Sequence, residues 1–276
     1  MTLSRRTLMA LLPLLAGAGL VRRAKAAIEL DGHLTQGGLA FGRTEPGSRV
    51  ALDKQHMPIA GDGRFLLGFS RDQAPHATLA ITRPDGKTET QELAITQRKF
   101  DIQRIDNLPK NQVEPNAEEL KRIKAEQVRI NAARARDTDL PYAFEPFDWP
   151  AVGPISGVYG SQRILNGQPR APHFGVDIAA PRGTPLKAPA GGIVSLADRD
   201  LFFTGGTIII DHGHGLASLF AHMDKVAVKE GDRLAKGGYV GNLGATGRAT
   251  GPHLHWGMFL FSTPIDAQLL VPPMPS

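Results

Sequence analysis

Between residues 28 and 105, short apolar runs alternate with turn signals. Val50-Ala51-Leu52, Phe65-Leu66-Leu67 and Thr78-Leu79-Ala80-Ile81 have the length and composition of strands. Glu45-Pro46-Gly47-Ser48, Gly61-Asp62-Gly63 and Arg83-Pro84-Asp85-Gly86 separate them with residues that favour tight turns. This spacing predicts a small β-sandwich-like accessory domain over residues 27–108. The pattern changes over residues 115–137, where Leu120, Ile123, Ile130 and Ala133 recur at helical spacing among many charges. Asn116 stands ahead of Ala117-Glu118-Glu119, an N-cap followed by acids that suit a helix N-terminus. A helical linker over residues 109–146 is therefore expected, its apolar stripe packing on one of the flanking domains.

From Phe147-Asp148-Trp149-Pro150 onward the glycine density rises and helix signals fade. Candidate strands at 192–197, 207–211, 217–222, 239–243 and 253–261 are separated by glycine-rich turns, which predicts a second, antiparallel β domain over residues 147–276. The fold class is thus mainly β. A length of 276 residues accommodates two such units, and the 31 glycines and 21 prolines agree with many turns between short strands.

Residues 1–26 read differently. They combine Arg5 and Arg6, an apolar run at 8–21 and Ala24-Lys25-Ala26, the three parts of a secretory signal, with cleavage expected after Ala26. The run is shorter than the roughly 20 residues of a spanning helix, so no stable membrane anchor is expected after cleavage. Ser4-Arg5-Arg6-Thr7-Leu8 resembles the twin-arginine export signal. The expected location is outside the cytoplasm, in the periplasm. These residues also change the reading of charge. The formal net charge is +5, but residues 1–26 hold five basic residues and no acid, leaving 27 Lys+Arg against 27 Asp+Glu. A neutral remainder gives no support for a nucleic-acid partner. There is no cysteine, which excludes disulfides, thiolate nucleophiles and Cys-ligated zinc.

The candidate chemistry is histidine chemistry. Five of the nine histidines lie between Asp211 and Trp256, and His173 precedes them in the same region. His173-Phe174-Gly175-Val176-Asp177 places an imidazole and a carboxylate four apart, on one face of a helix or of a strand, and the composition favours extended structure. His253-Leu254-His255 puts two imidazoles on one side of what reads as the terminal strand. His222 ends another apolar strand. Catalytic zinc commonly takes three such N and O ligands and leaves a position open. Further histidines can then move protons or stabilise an oxyanion. Spacing does not decide which of His253 and His255 would bind metal. His212-Gly213-His214 has the same spacing but reads as a hairpin turn, and His33, His56 and His76 read as surface or packing residues. Phe202 and Phe203 are candidates for the border of a groove.

At these residues the chain resembles the LytM and lysostaphin-type zinc endopeptidases of the bacterial cell wall. The resemblance runs from about Trp149 to Asp266. It includes His173-Phe174-Gly175-Val176-Asp177-Ile178-Ala179-Ala180-Pro181, Phe220-Ala221-His222-Met223 and Gly247-Arg248-Ala249-Thr250-Gly251-Pro252-His253-Leu254-His255. It implies one Zn2+ per chain held by His173, Asp177 and His255, with His222 and His253 as catalytic histidines and Arg163 as a substrate contact or an ion-pair residue. It also implies a groove across the sheet, peptidoglycan as partner and hydrolysis of peptide bonds in its stems or cross-links. Two alternatives are a non-enzymatic regulator of other wall hydrolases and an exported metallopeptidase acting on proteins.

Overall fold

The computed structural model describes residues 28–275, so the export signal expected at 1–26 lies outside the described residues. The chain runs through β1 (Leu30–Gly32), β2 (Leu39–Arg43), β3 (Arg49–Leu52), β4 (Gln55–Met57), β5 (Arg64–Gly68), β6 (His76–Thr82) and β7 (Thr88–Ala94). These strands form two facing sheets, ordered β1-β2-β5 and β4-β3-β6-β7, which is the expected sandwich. Period-two alternation drives it. In β6, Ala77, Leu79 and Ile81 are buried while His76 and Thr78 are exposed, so one face joins Leu39, Phe65, Leu67 and Leu93 in the core. His33, His56 and His76 are all exposed, as expected.

Beyond the sandwich come β8 (Ile102–Ile105), α1 (Lys110–Val113) and α2 (Ala117–Arg134). Asn116 accepts from the backbone of Glu118 and Glu119, and the Glu119 side chain accepts from the Asn116 backbone N–H, completing a capping box. Only the C-terminal end of the apolar stripe is fully buried. Ile130 and Ala133 pack with Leu196, Ile209, Leu219 and Phe259 of the following sheet, whereas Leu120 is 45% exposed. Arg122 and Arg129 pair with Asp200 and Asp198 at the sheet edge.

The remaining strands are β9 (Ile155–Gly157), β10 (Gln162–Leu165), β11 (Gln168–Pro169), β12 (Val176–Ala179), β13 (Pro185–Lys187), β14 (Gly192–Leu201), β15 (Gly205–Gly213), β16 (Leu216–Val226), β17 (Arg233–Leu234), β18 (Tyr239–Leu243), β19 (His253–Leu260) and β20 (Thr263–Ile265). Ten of them form one sheet with the path β17-β14-β15-β16-β19-β12-β9. One expectation is corrected here: β19 is not a terminal strand. It lies between β16 and β12, and β20 follows it and pairs back. An interior position holds both edges of β19 by ladder hydrogen bonds, which fixes its side chains more firmly than an edge would. The sandwich docks on this sheet through Arg98 paired with the buried Asp266 at 2.8 Å and Arg71 Nε donating to Gly160 O at 2.6 Å. Among the described residues no helix is long and apolar enough to cross a membrane.

Candidate metal centre

Strands β12 and β19 pair antiparallel with Asp177 opposite His255 and Ala179 opposite His253. Directly opposed side chains share a face, so this register places the Asp177 carboxylate beside the His255 ring. Leu254 and Trp256 point to the other face and are fully buried. The extended reading of the whole His173–Asp177 stretch is only partly correct: Asp177 is in β12, but His173 lies in the segment leading into it. That segment is held by its own hydrogen bonds, His173 N–H donating to Ser161 O and Gly160 N–H to His173 O.

Three donor atoms converge. His173 Nε2 lies 2.9 Å from His255 Nδ1 and 3.0 Å from Asp177 Oδ1, and the last two are 2.9 Å apart. Val158 O, which can only accept, takes the His173 Nδ1 proton at 3.1 Å. A neutral His173 therefore presents its Nε2 lone pair to the carboxylate oxygen, an arrangement that is repulsive unless a cation sits among them. Burial pushes the His173 imidazole down to about 4, keeping it neutral. Burial would raise the Asp177 carboxyl, but its close contacts with the His173 and His255 imidazoles outweigh it and hold the group well below the usual carboxylate range. Two imidazoles and one ionised carboxylate, with no thiolate, suit zinc. The donor set fits the metal expected from the sequence.

His222 and His253 stand beside this triangle, their ring centroids 4.7 Å apart, with the His222 ring 6.2 Å from that of His255. Each is oriented by a backbone carbonyl: His222 Nδ1 donates to Thr246 O at 2.8 Å and His253 Nδ1 to Gly251 O at 2.9 Å. In neutral His222 the Nε2 atom is thereby left with a lone pair. Burial, reinforced by His255 and His253, lowers the His222 imidazole to about 3. His222 also has φ +64° within β16, where the ladders to neighbouring strands shift register. A left-handed non-glycine residue in a strand is costly, and such strain concentrates at functional positions.

Two glycines leave room for these ligands. A Cβ on Gly157 would lie 2.4 Å from Asp177 Oδ2, and one on Gly175 would lie 2.6 Å from the His255 ring. Gly157 carries no signal in a single sequence because it acts across the β9–β12 pair. Gly157→Ala should push Asp177 off its position and weaken metal affinity by roughly 10 to 100-fold, the range seen when support of a ligand is lost. Competition with a chromophoric chelator measures this, and an unchanged affinity would show that the contact does not matter.

Arg163 is half-buried. Its Nη2 lies 3.6 Å from Asp177 Oδ2, and it lines a cavity of about 120 Å³ together with His222, His253 and Arg248. The other wall comes from Gln103, Ile105 and Leu108, because β8 pairs in parallel with β10. Phe202 and Phe203 do not line this cavity; the Phe203 ring instead lies beneath the Arg248 guanidinium at 4.3 Å.

His212 belongs to β15 rather than to the turn expected for it, and only His214 and Gly215 form the hairpin tip. It is fully buried, Nδ1 donating to Gly191 O and Nε2 accepting from Ser218 Oγ, both at 2.6 Å. Burial lowers its pKa to about 4 from the ordinary 6.5. The unfolded chain therefore takes up this proton before the folded one does, and the stability contributed by neutral His212 is complete above pH 6.5 and lost as pH falls toward 4. On replacing His212 with Gln, the loss of unfolding free energy between pH 7 and pH 4 should shrink by an amount on the order of 3 kcal/mol. Urea titrations at the two pH values measure it, and equal pH dependence in both proteins would refute it.

Comparison with known proteins bears on the same residues. The family model described as Peptidase family M23 matches residues 171–267. Peptidoglycan DD-endopeptidase ShyA of Vibrio cholerae is 33% identical over 138 residues, covering 50% of this chain and 32% of that protein. DD-carboxypeptidase/endopeptidase Mpg of Neisseria meningitidis is 36% identical over 103 residues, covering 37% of this chain and 24% of that protein. The chain thus matches about a third or less of the length of these curated relatives. A crystal structure of a putative peptidase M23 from Pseudomonas aeruginosa superposes with a TM-score of 0.67 at 30% identity, covering 86% of this chain and 94% of that one.

Proposed function

This chain belongs to peptidase family M23, and from that premise we propose that it is a zinc-dependent endopeptidase hydrolysing peptide bonds in peptidoglycan outside the cytoplasmic membrane. The observation that supports the metal most directly is the convergence of His173 Nε2, Asp177 Oδ1 and His255 Nδ1 within 3.0 Å of one another. Zinc held there would supply Lewis acidity, polarising the scissile carbonyl and bringing the pKa of an attacking water to about 7. His222 Nε2, with Nδ1 fixed on Thr246 O, accepts a proton from the attacking water. His253, fixed on Gly251 O, faces the same cavity and, when protonated at Nε2, stabilises the charge developing on the carbonyl oxygen or donates that proton to the leaving amine. Arg163 steadies Asp177 through its guanidinium.

The peptidoglycan substrate rests on the names of the relatives and on the wall-hydrolase motifs. A non-catalytic regulator would have no need of all five positions, and each of them is filled in this chain. The test is incubation of the zinc-loaded protein with purified sacculi and chromatography of the released muropeptides. Loss of cross-linked dimers supports the proposal. An unchanged profile, with cleavage of denatured proteins instead, would move the substrate to protein.

A further inference from the structure

The cavity beside the candidate metal centre has an unbalanced charge. Asp177 is the only acid among its lining residues, and the guanidinium groups of Arg163 and Arg248 both line it. Arg163 is 3.6 Å from Asp177. Arg248 has no carboxylate within 4 Å among the described residues, and neither has Arg170, which stands behind it. What Arg248 does have is a scaffold. Its Nη1 donates to Gln112 O at 3.1 Å, its face rests on the Phe203 ring at 4.3 Å, and it sits in the Gly247-Arg248 turn, where Gly247 takes φ +67°. Arg170 Nη2 likewise donates to Val113 O at 2.9 Å. Burial, with repulsion from Arg163 and Arg170, depresses the Arg248 guanidinium to about 10, so it remains cationic at neutral pH. Ordered, partly desolvated and facing a cavity that holds a single carboxylate, such a group is a donor waiting for an anion.

We infer that Arg248, with Arg163, forms a carboxylate subsite of the substrate cleft, selecting peptides with a free carboxylate on the carbon that bears the scissile amide nitrogen. This deepens the peptidase reading and rests on it. The position is set by the neighbours: Arg248 shares the cavity with His222 and His253, the residues proposed to handle the proton of the leaving amine, so a carboxylate one carbon from that nitrogen comes within its reach. A cross-link made to the D-centre of diaminopimelate has this chemistry, and so does any dipeptide whose second residue ends in a free carboxyl group. Amidation removes the charge and leaves the shape almost unchanged, which isolates the interaction.

The test uses the full zinc-loaded chain and two probes, N-acetyl-D-alanyl-D-alanine and its C-terminal carboxamide, with calorimetric binding as the readout. In parallel, cross-linked muropeptide dimers with that carboxylate free or amidated are assayed for cleavage. The wild type should bind the acid about 10-fold or more tightly than the amide, the ratio expected of a hydrogen bond to a charged group. Arg248→Gln should bind both probes alike, at the affinity the wild type shows for the amide. Arg163→Gln serves as the second variant, should Arg248→Gln fail to fold, and should reduce the same ratio. An undiminished preference in a folded variant, or none in the wild type, would overturn the subsite. The two readings separate cleanly: dimers cleaved regardless of amidation would leave the peptidase standing without the subsite. Carboxylate-selective binding with no cleavage of either dimer would leave the subsite and remove the activity.

Discussion

His255→Ala is expected to abolish metal retention and peptide cleavage together. His255 Nδ1 is one of three mutually adjacent donor atoms, and the other two, His173 Nε2 and Asp177 Oδ1, would be left as a two-point site. Supporting partners of a ligand are worth roughly 10 to 100-fold in affinity, and loss of a ligand itself should exceed that. Global unfolding would not explain such a result. The side chain lies on the cleft face of β19 with its ring partly exposed, while the core face of the same strand is held by Leu254 and Trp256. Elemental analysis after dialysis, paired with near-ultraviolet circular dichroism, measures both quantities. A folded variant that still carries one zinc per chain would mean that His255 is not a ligand.

His222→Ala should separate the two properties. The expected result is a loss of turnover of about 10²- to 10⁴-fold, the range for removal of a general acid or base, with metal stoichiometry unchanged. The separation follows from geometry. His222 Nδ1 is committed to Thr246 O, and its ring centroid is 6.2 Å from that of His255, whereas the His173 and His255 centroids are 4.9 Å apart. Because the residue holds φ +64°, His222→Asn is the better companion variant, asparagine tolerating left-handed backbone more readily than alanine. Both variants should give the same split. If either emptied the site of metal, the assignment of roles between His222 and the three donors would be wrong.

Much of this arrangement was legible in the chain itself, for identifiable reasons. The strands at 192–197, 207–211 and 217–222 emerged as the cores of β14, β15 and β16 because apolar runs bounded by glycine turns are local signals. The Asn116 cap was legible because its partners are two and three residues away. The partial use of the α2 stripe was not, since only Ile130 and Ala133 are buried and the sequence pattern treats Leu120 alike. The interior position of β19 depends on pairing with β12 and β16, the latter up to 44 residues away, and strand order leaves no periodic trace. His212 was misplaced because its glycine neighbour mimics turn chemistry, while its burial comes from Gly191 and Ser218 across the sheet.

The site divides in the same way. His173, Asp177, His222, His253 and His255 stood out because their chemistry is rare and their motifs are compact. Gly157 and the wall formed by Gln103, Ile105 and Leu108 did not, because each acts through a contact distant in the chain. Arg163 was visible as a residue but not as the neighbour of Asp177, a relation created by folding. Arg248 sat inside a recognised run, and what folding adds is that, among the described residues, no carboxylate lies within ion-pair distance of it in the cavity.

The most direct test of the central claim is anomalous diffraction at the zinc absorption edge from crystals of the zinc-loaded protein. The account predicts one peak per chain, about 2.0–2.2 Å from His173 Nε2, His255 Nδ1 and an Asp177 carboxylate oxygen, with His222 and His253 outside bonding distance. A peak bonded to His222 or His253 in place of any of those three would contradict it.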